Sequence, residues 1–480
     1  MNANPTSRTE ARLLLHGDSE RQMDRPYFRW TTDPTTSGIV ATVMVDPDSQ
    51  LVSGAAEVII ERLAEQPDVD VFFADATVGR SPQLRGAWSP ERIAAHPDEL
   101  DVLVARGVHP SGQVADRLQI LYATSDDRIG HLAEPLVRRQ SRMVVSQEDH
   151  HLAQRLLADR RRSSPPDCVS VIIPTAGTTI GGRRLVEGAL HAVLNGNLEA
   201  AEVLLVVGDE YQGNPEELCT DPRIQLVRRP SGPWSFSESI NLGLLAATHE
   251  AVLIVNDDVE MLNRGWLAQM VTHLADPTVA VVGALLLYPD HTVQHAGMVI
   301  DDAYPLHCFA GRSVADLGAL GGYRCRDMVA VTGACMLVRR SVVLEFGGLC
   351  LELPRSFNDV DLCLKLRRHG HRVLFDPDVQ LIHLESASRE DAIAPEEWNT
   401  FVGRWGQIDD PWYHPGFHRP DLPDRRQLNA DHLAPVRVWD PGPLRRTVLT
   451  SRFPNPRLIP PAREDTAAES PGSGPAIASN

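Results

Sequence analysis

An α/β fold with a mostly parallel, Rossmann-like central sheet is the class that this 480-residue sequence predicts. Three observations carry the expectation. From Val169 onward, short β-branched runs alternate with segments of helical spacing, as in strands joined by helical crossovers. One of these runs, Ala251–Val255, ends on Asn256-Asp257-Asp258. Open α/β sheets gather ligands at the carboxyl ends of their strands, and an acidic tip there proposes a site. Finally, no Gly-x-Gly-x-x-Gly and no phosphate-loop lysine motif occurs, which disfavours a dinucleotide or ATP-loop protein.

Residues 1–37 are polar and Pro/Thr-rich and are expected to be loosely ordered. Residues 38–143 read as a small α/β domain, with strands over 39–45 and 69–73 around a helix over 54–66. Residues 144–167 are assigned to a linker, clearest in the basic, Ser/Pro-rich stretch 160–167. Residues 168–415 hold the main domain. Its expected strands are 169–173, Glu202–Val207, 224–227 and Ala251–Val255, with helices over 183–194 and 237–247. Beyond residue 279 the runs Val279–Leu287, 294–300 and 328–338 are less regular and suggest a mixed, substrate-binding half. Residues 416–454 are read as a C-terminal extension. Residues 455–480, rich in Pro, Ala, Ser and Gly, are read as a disordered tail.

Composition bounds the function. Apolar content of 42% and charged content of 23% are those of a globular protein. A net charge of −18 argues against a nucleic-acid partner and against broad adsorption to anionic lipid. Seven cysteines without Cys-x-x-Cys spacing read as reduced thiols of a cytoplasmic protein. The amino terminus is polar, and no apolar window reaches the ~18 residues of a membrane span.

The candidate chemistry lies at element boundaries. Asp258 can give a hard oxygen ligand to a metal–diphosphate complex, and Asp257 or Asn256 can bond a ribose; a plain turn is the bland alternative. Asp359 opens a helix whose inner face is Leu362, Cys363 and Leu366; there it serves either as general base or as a mere cap. His383 ends an apolar strand, where it is a structural residue or a neutral ligand for an Mn²⁺-like ion. His295, in Gln294-His295-Ala296-Gly297, is a core or acceptor-pocket residue. Pro174-Thr175-Ala176-Gly177 follows the first parallel strand, where a nucleoside would lie, and Asp209 follows the second.

Taken in order, several blocks resemble glycosyltransferase family 2, whose catalytic domain has the GT-A fold. They are Val171-Ile172-Ile173-Pro174-Thr175, Trp234-Ser235-Phe236-Ser237 with Asn241, Asn256-Asp257-Asp258, Gln294-His295-Ala296-Gly297 and Val331-Thr332-Gly333-Ala334-Cys335. Phe357-Asn358-Asp359-Val360-Asp361 and His383-Leu384-Glu385-Ser386 complete the set. Bacterial enzymes of rhamnose-containing or O-antigen-like polysaccharide look most similar. The resemblance implies a metal-dependent, inverting transfer from a nucleotide-diphosphate sugar, dTDP-rhamnose or a UDP-sugar. The acceptor would be a hydroxyl of a growing cell-surface polysaccharide or lipid-linked glycan, reached by peripheral membrane association. Asp258 and His383 would hold Mg²⁺ or Mn²⁺, and Asp359 would be the base. Pro174, Thr175, Asp209, Asn241, Asn256 and Asp257 would bind the donor, and His295, Asp361 and Trp234 would line the acceptor pocket. Asn256 departs from the acidic residue many members carry. The rival readings are a nucleotidyltransferase, which lacks its Gly-rich loop with a basic residue here, and an inactive glycan- or nucleotide-binding scaffold.

Residues 69–141 resemble the rear part of a second such domain, a degenerate remnant; an unrelated small α/β domain is the bland alternative. Phe73-Ala74-Asp75-Ala76-Thr77 precedes Trp88-Ser89-Pro90, and Gln113-Val114-Ala115-Asp116 follows. This reading matches residues 69–73 to Ala251–Val255. It puts Thr77 and Val114 where carboxylates are needed, so the unit is expected to be catalytically silent.

Overall fold

The computed structural model describes residues 27–31 and 40–413, apart from 47, 80, 84, 108–112, 196–197, 199, 302–303, 320–321, 385–392, 407 and 409. The C-terminal extension 416–454, the tail 455–480 and most of the segment 1–37 lie outside the described residues, as do Glu385 and Ser386.

The first unit contains β1 (Tyr27–Thr31), β2 (Val40–Val45), β3 (Gln50–Leu51), α1 (Ala55–Glu65), β4 (Val71–Val78), β5 (Ser81–Gln83), α2 (Pro90–Ala95), β6 (Val102–Arg106), α3 (Val114–Ala123), β7 (Ile129–Arg139) and α4 (Gln147–Arg160). Its strands form one sheet in the order β1-β2-β6-β4-β7-β3, with β5 on β4. The second unit begins with β8 (Val169–Pro174), the hairpin β9 (Thr179–Ile180) and β10 (Arg183–Arg184), α5 (Val186–Leu194), β11 (Glu202–Val207), β12 (Ile224–Arg228), α6 (Phe236–Ala246) and β13 (Ala251–Val255). It continues through β14 (Val259–Met261), α7 (Trp266–Thr272), β15 (Val279–Leu287), β16 (Val293–His295), β17 (Met298–Asp301), β18 (Tyr304–His307), α8 (Val314–Ala319), β19 (Arg326–Asp327), β20 (Cys335–Arg339), α9 (Arg340–Glu345), α10 (Asn358–Arg368), β21 (Arg372–His383) and α11 (Pro395–Trp405).

The second sheet runs β12-β11-β8-β13-β20-β15-β21-β14. Its first four strands are parallel, so β8, β11 and β13 present their carboxyl ends on one edge. These strands are apolar on both faces because helices cover both. Ile172, Leu204, Val252 and Ile254 pack under Phe236, Ile240 and Leu244 of α6. The alternate residues Val171, Ile173, Val203 and Leu253 pack under Val186 and Val193 of α5 and Trp266 of α7. α6 lies so close that a Cβ on Gly243 would stand 2.5 Å from Ile172 Cγ2.

The first sheet repeats the rear half of the second. β2 pairs antiparallel with β6, Val45 opposite Val102, as β13 pairs with β20, Val255 opposite Cys335. β4 lies antiparallel to β6 and parallel to β7, as β15 lies between β20 and β21. Both parallel ladders shift register at the same step, after Ala74 and after Ala284. Arg106 and Arg339, last residues of β6 and β20, even make the same bonds. Arg106 donates to the carbonyls of Leu63, Gln66 and Val69, and Arg339 to those of Leu274, Asp276 and Val279.

This register corrects the expected correspondence. Residues 40–45, not 69–73, match Ala251–Val255, and β4 matches β15. Asp46 and Asp48 therefore stand where Asn256 and Asp258 stand. Thr77 lies on β4, away from that tip. Leu118 and Leu121 are buried in α3 as Cys363 and Leu366 are in α10, a match that keeps Val114 at the Asp359 position. No counterpart of β8, β11 and β12 exists among the described residues; β1 flanks β2 instead.

Three further expectations change. The linker 144–167 is largely α4, because Ala153 and Leu157 are buried against the first sheet's core. The single strand expected over 294–300 is broken at Gly297, whose φ of 87° turns the chain. The run 328–338 yields only β20, because Thr332 and Gly333 leave the sheet to meet other partners. The units join through buried charge: Arg372 pairs with Glu91 of α2 and with Asp327 (2.7 Å) and Asp276 (3.1 Å). The Ala87 N–H donates to the Pro411 carbonyl at 2.8 Å.

Candidate active site

Each strand end of the parallel edge delivers one side chain. β13 releases Asn256-Asp257-Asp258. Thr175, directly after the neighbouring β8, donates its hydroxyl to Asp257 Oδ2 at 2.7 Å and accepts the Gly177 N–H at 3.0 Å. Burial, with the adjacent Asp258 charge, pushes the Asp257 carboxyl up to about 6. Gly177 takes φ 70°, and a Cβ there would come within 2.9 Å of Tyr211 and the Gln212 carbonyl, so the loop is closed against the β11 loop. In that loop Arg229 holds Glu210 at 2.6 Å, while Asp209 is exposed.

His383 reaches Asp258 because β14 follows the acidic tip and pairs Val259 with His383. His383 Nε2 lies 3.0 Å from Asp258 Oδ1 and 3.3 Å from Asn256 Nδ2. On the other side of the ring, Nδ1 meets Gln294 Oε1 at 2.6 Å, and Gln294 Nε2 donates to the His383 carbonyl. The amide orientation makes Nδ1 the protonated nitrogen, so Nε2 carries a lone pair in the neutral ring. Asp258 Oδ1 is buried and accepts no hydrogen bond. Two lone pairs face each other 3.0 Å apart. Adjacent ligands of an octahedral ion at ~2.1 Å are about 3.0 Å apart, so the pair fits a divalent cation.

Asp359 lies on the same edge. Its Oδ2 accepts the Gly333 N–H and its Oδ1 the Val360 N–H, both at 2.8 Å. Gly333 precedes Ala334, whose carbonyl accepts the Asn256 N–H. The helix starts abruptly because Phe357 takes φ 62°, unusual for an aromatic residue. Stacking on Phe401 of α11, with centroids 4.8 Å apart, holds it there.

Three expected site residues are used elsewhere. Asn241 is bonded at both ends to the Leu349 backbone, Nδ2 to its carbonyl and Oδ1 to its N–H, so it anchors α6 rather than meeting a donor. Asp361 is fully buried and accepts from Arg404 Nε and Trp405 Nε1, pinning α11 to α10. His295 is also fully buried; burial holds it well below the usual imidazole range, and its Nε2 accepts the Thr332 N–H. It shapes the 332–333 loop rather than lining a pocket. Trp234 is half-buried against Phe236, whose ring faces Gly333. Pro174 is buried as the last residue of β8. Gln294 and Phe357 were not singled out for a role; the only sequence signal was Gln294's place beside His295. A separate cluster, His273, Cys325 and Asp376, has its potential ligand atoms within 4.8 Å of one another. It is closed by bonds from His273 and Gln269 to Asp376, which lies on β21 at the other end from His383.

The fold of the second unit is that of GT-A domains. Residues 165–399 match the family described as "Glycosyltransferase like family 2", and that stretch is a glycosyltransferase family 2 domain. It is 36% identical over 271 residues to the uncharacterized protein y4gI of Sinorhizobium fredii, covering 52% of this chain and 29% of that one. It is 28% identical over 417 residues to the O-antigen biosynthesis protein RfbC of Myxococcus xanthus, covering 75% and 32%. It is 28% identical over 233 residues to the pre-mycofactocin glycosyltransferase of Mycobacterium tuberculosis, covering 47% and 44%. The chain thus spans less than half the length of these relatives. The solved mannosyltransferase PcManGT of Pyrobaculum calidifontis, in complex with GDP-Man and Mn²⁺, aligns with a TM-score of 0.35 at 21% identity, covering 47% and 60%. No helix among the described residues is long and apolar enough to cross a membrane.

Proposed function

We propose that this chain transfers a sugar, with inversion, from a nucleotide-diphosphate sugar to a hydroxyl of a growing polysaccharide or lipid-linked glycan. The observation that carries the reading is the buried Asp258 Oδ1 only 3.0 Å from His383 Nε2, with Asp359 on the same sheet edge.

Asp258 and His383 would hold Mg²⁺ or Mn²⁺, which when bound neutralises charge on the leaving diphosphate. Thr175, Asp257 and Asp209 surround the place for the nucleoside. Asp359 takes the proton of the acceptor hydroxyl. That oxygen attacks the anomeric carbon from the face opposite the diphosphate, which departs with the bonding pair. No covalent enzyme intermediate forms. The two backbone N–H groups on Asp359 fix its carboxylate without supplying a proton, as a base requires.

Mass-spectrometric screening of nucleotide sugars with either metal, with and without glycan acceptors, tests the reading. Transfer or slow donor hydrolysis is expected, and NMR of the product should show the opposite anomeric configuration to the donor. Neither activity with any donor would leave only a binding scaffold, and a retained configuration would remove Asp359 from the role of base.

A further inference from the structure

We infer that Gln294 is the positioning residue of His383, and that a β-bulge in β16 exists to deliver it. The inference rests on the metal role proposed for Asp258 and His383. In the β15–β16 ladder Leu286 is opposite His295 and Leu287 is opposite Val293, so Gln294 is an extra residue. Bulges re-aim side chains, commonly beside active sites. This one aims Gln294 at the imidazole, where its amide grips His383 twice. Oε1 accepts from Nδ1 at 2.6 Å and Nε2 donates to the His383 carbonyl at 3.3 Å. Gln294 is 5% exposed and His383 9%, so water does not compete for these bonds. The result is one tautomer in one orientation, with the Nε2 lone pair turned to Asp258.

The internal repeat gives an independent argument. In the first unit the equivalent hairpin, β4–β5, is regular: Ala76 is opposite Gln83, Thr77 opposite Pro82 and Val78 opposite Ser81. There the counterpart of His383 is Arg139. Val137 pairs with Leu51 as Leu381 pairs with Met261, and Arg139 and His383 each stand two residues further on. An arginine has no tautomer to set. The first unit has a glutamine in this hairpin too, Gln83, but in regular register opposite Ala76, so the bulge and the histidine occur together in one copy and are missing together in the other.

The test is Mn²⁺ affinity of the full chain, read by electron paramagnetic resonance with the metal alone. Gln294→Leu should weaken binding about 10–100-fold, the usual cost of losing a partner that orients a histidine ligand. Gln294→Glu keeps an acceptor for Nδ1–H and should bind within a few-fold of the unaltered chain. Gln294→Asn keeps the polarity but is one methylene too short; it should weaken binding and serves if the leucine variant does not fold. Asp258→Asn and His383→Ala are controls. If the controls leave Mn²⁺ affinity unchanged, the metal role itself fails. If they weaken binding while Q294L and Q294N bind normally, or if Q294E weakens it as much as Q294L, Gln294 only fills space and the inference is overturned.

Discussion

Asp359, the proposed base, is held by the backbone. Its two oxygens each accept one N–H, from Gly333 and Val360. An asparagine can still accept through its one amide oxygen and keeps the volume, so the fold should survive Asp359→Asn. Loss of a general base costs about 10²–10⁴-fold in rate. Donor contacts lie on β8, β11 and β13, so nucleotide-sugar affinity should stay within a few-fold. Turnover by mass spectrometry and donor binding by calorimetry separate the two effects. A variant that keeps more than about a tenth of normal turnover would remove Asp359 from the mechanism. The same scale shows what a sequence reading reaches. Asp258, Asp359 and His383 drew notice because each sits at an element boundary next to an apolar run, and the fold brings Asp258 and His383 to 3.0 Å. Asn241, Asp361 and His295 belong to equally suggestive motifs, yet Asn241 is bonded to Leu349, Asp361 Oδ1 to Arg404 and Trp405, and His295 Nε2 to Thr332. Those partners are distant in sequence, and spacing alone cannot reveal them.

At the scale of elements, glycine substitutions divide by packing rather than by propensity. Gly243 and Gly403 both lie inside helices, where alanine is intrinsically better by about 0.5–1 kcal/mol. Nothing lies within 4 Å of the Cβ that Gly403 would gain, whereas that of Gly243 would meet Ile172 at 2.5 Å. Overpacking a core costs about 1–3 kcal/mol, which exceeds the propensity gain. Gly403→Ala should therefore raise the melting temperature and Gly243→Ala should lower it, by thermal denaturation of each variant. Equal shifts of one sign would show that α6 does not press on β8 as described. Strands of the parallel half were legible from their unbroken apolar runs, to within a residue or two. The first unit was read one strand out of step, because β2 ends on Asp46, not on the Phe-Ala-Asp run of β4 that looked like an acidic tip. Only strand pairing distinguishes the two, and pairing is not written locally.

The described residues form a GT-A domain joined to a unit that repeats its rear strands, and the joint is expected to be sensitive to pH. Asp410 lies in the segment that crosses to Ala87, and it accepts the N–H groups of Ile300, Trp412 and Tyr413. Burial nevertheless pushes its carboxyl up from 3.8 to about 6. A raised value means that the folded form holds the proton more tightly than the unfolded one. The resulting stability is present in full below pH ~4 and is lost as pH rises through about 6, on the order of 3 kcal/mol. Urea midpoints between pH 4.5 and 7 should show this component, and Asp410→Asn should flatten it. A variant with the unaltered slope would assign the dependence to other groups.

The second copy also bears on how many ions the chain binds. Arg139 stands at the His383 position, 3.6 Å from Asp46, which stands at the Asn256 position. It also pairs with Asp101, which Arg85 holds from the other side at 2.6 Å. A fixed guanidinium thus supplies the positive charge that a divalent cation would supply in the main domain. Mn²⁺ titration should saturate at one ion per chain, and His383→Ala should remove it. Arg139→Ala should destabilise the 40–139 unit, by less than the ~3–5 kcal/mol of an uncompensated buried charge because Arg85 still holds Asp101. Added Mn²⁺ should not restore it, since alanine leaves no imidazole beside Asp46 and Asp48. Hydrogen exchange of peptides from 40–139 reads that loss separately from the catalytic domain. A second bound ion in the unaltered chain, or an arginine variant whose exchange is unchanged, would show that this half has not exchanged a metal for an arginine.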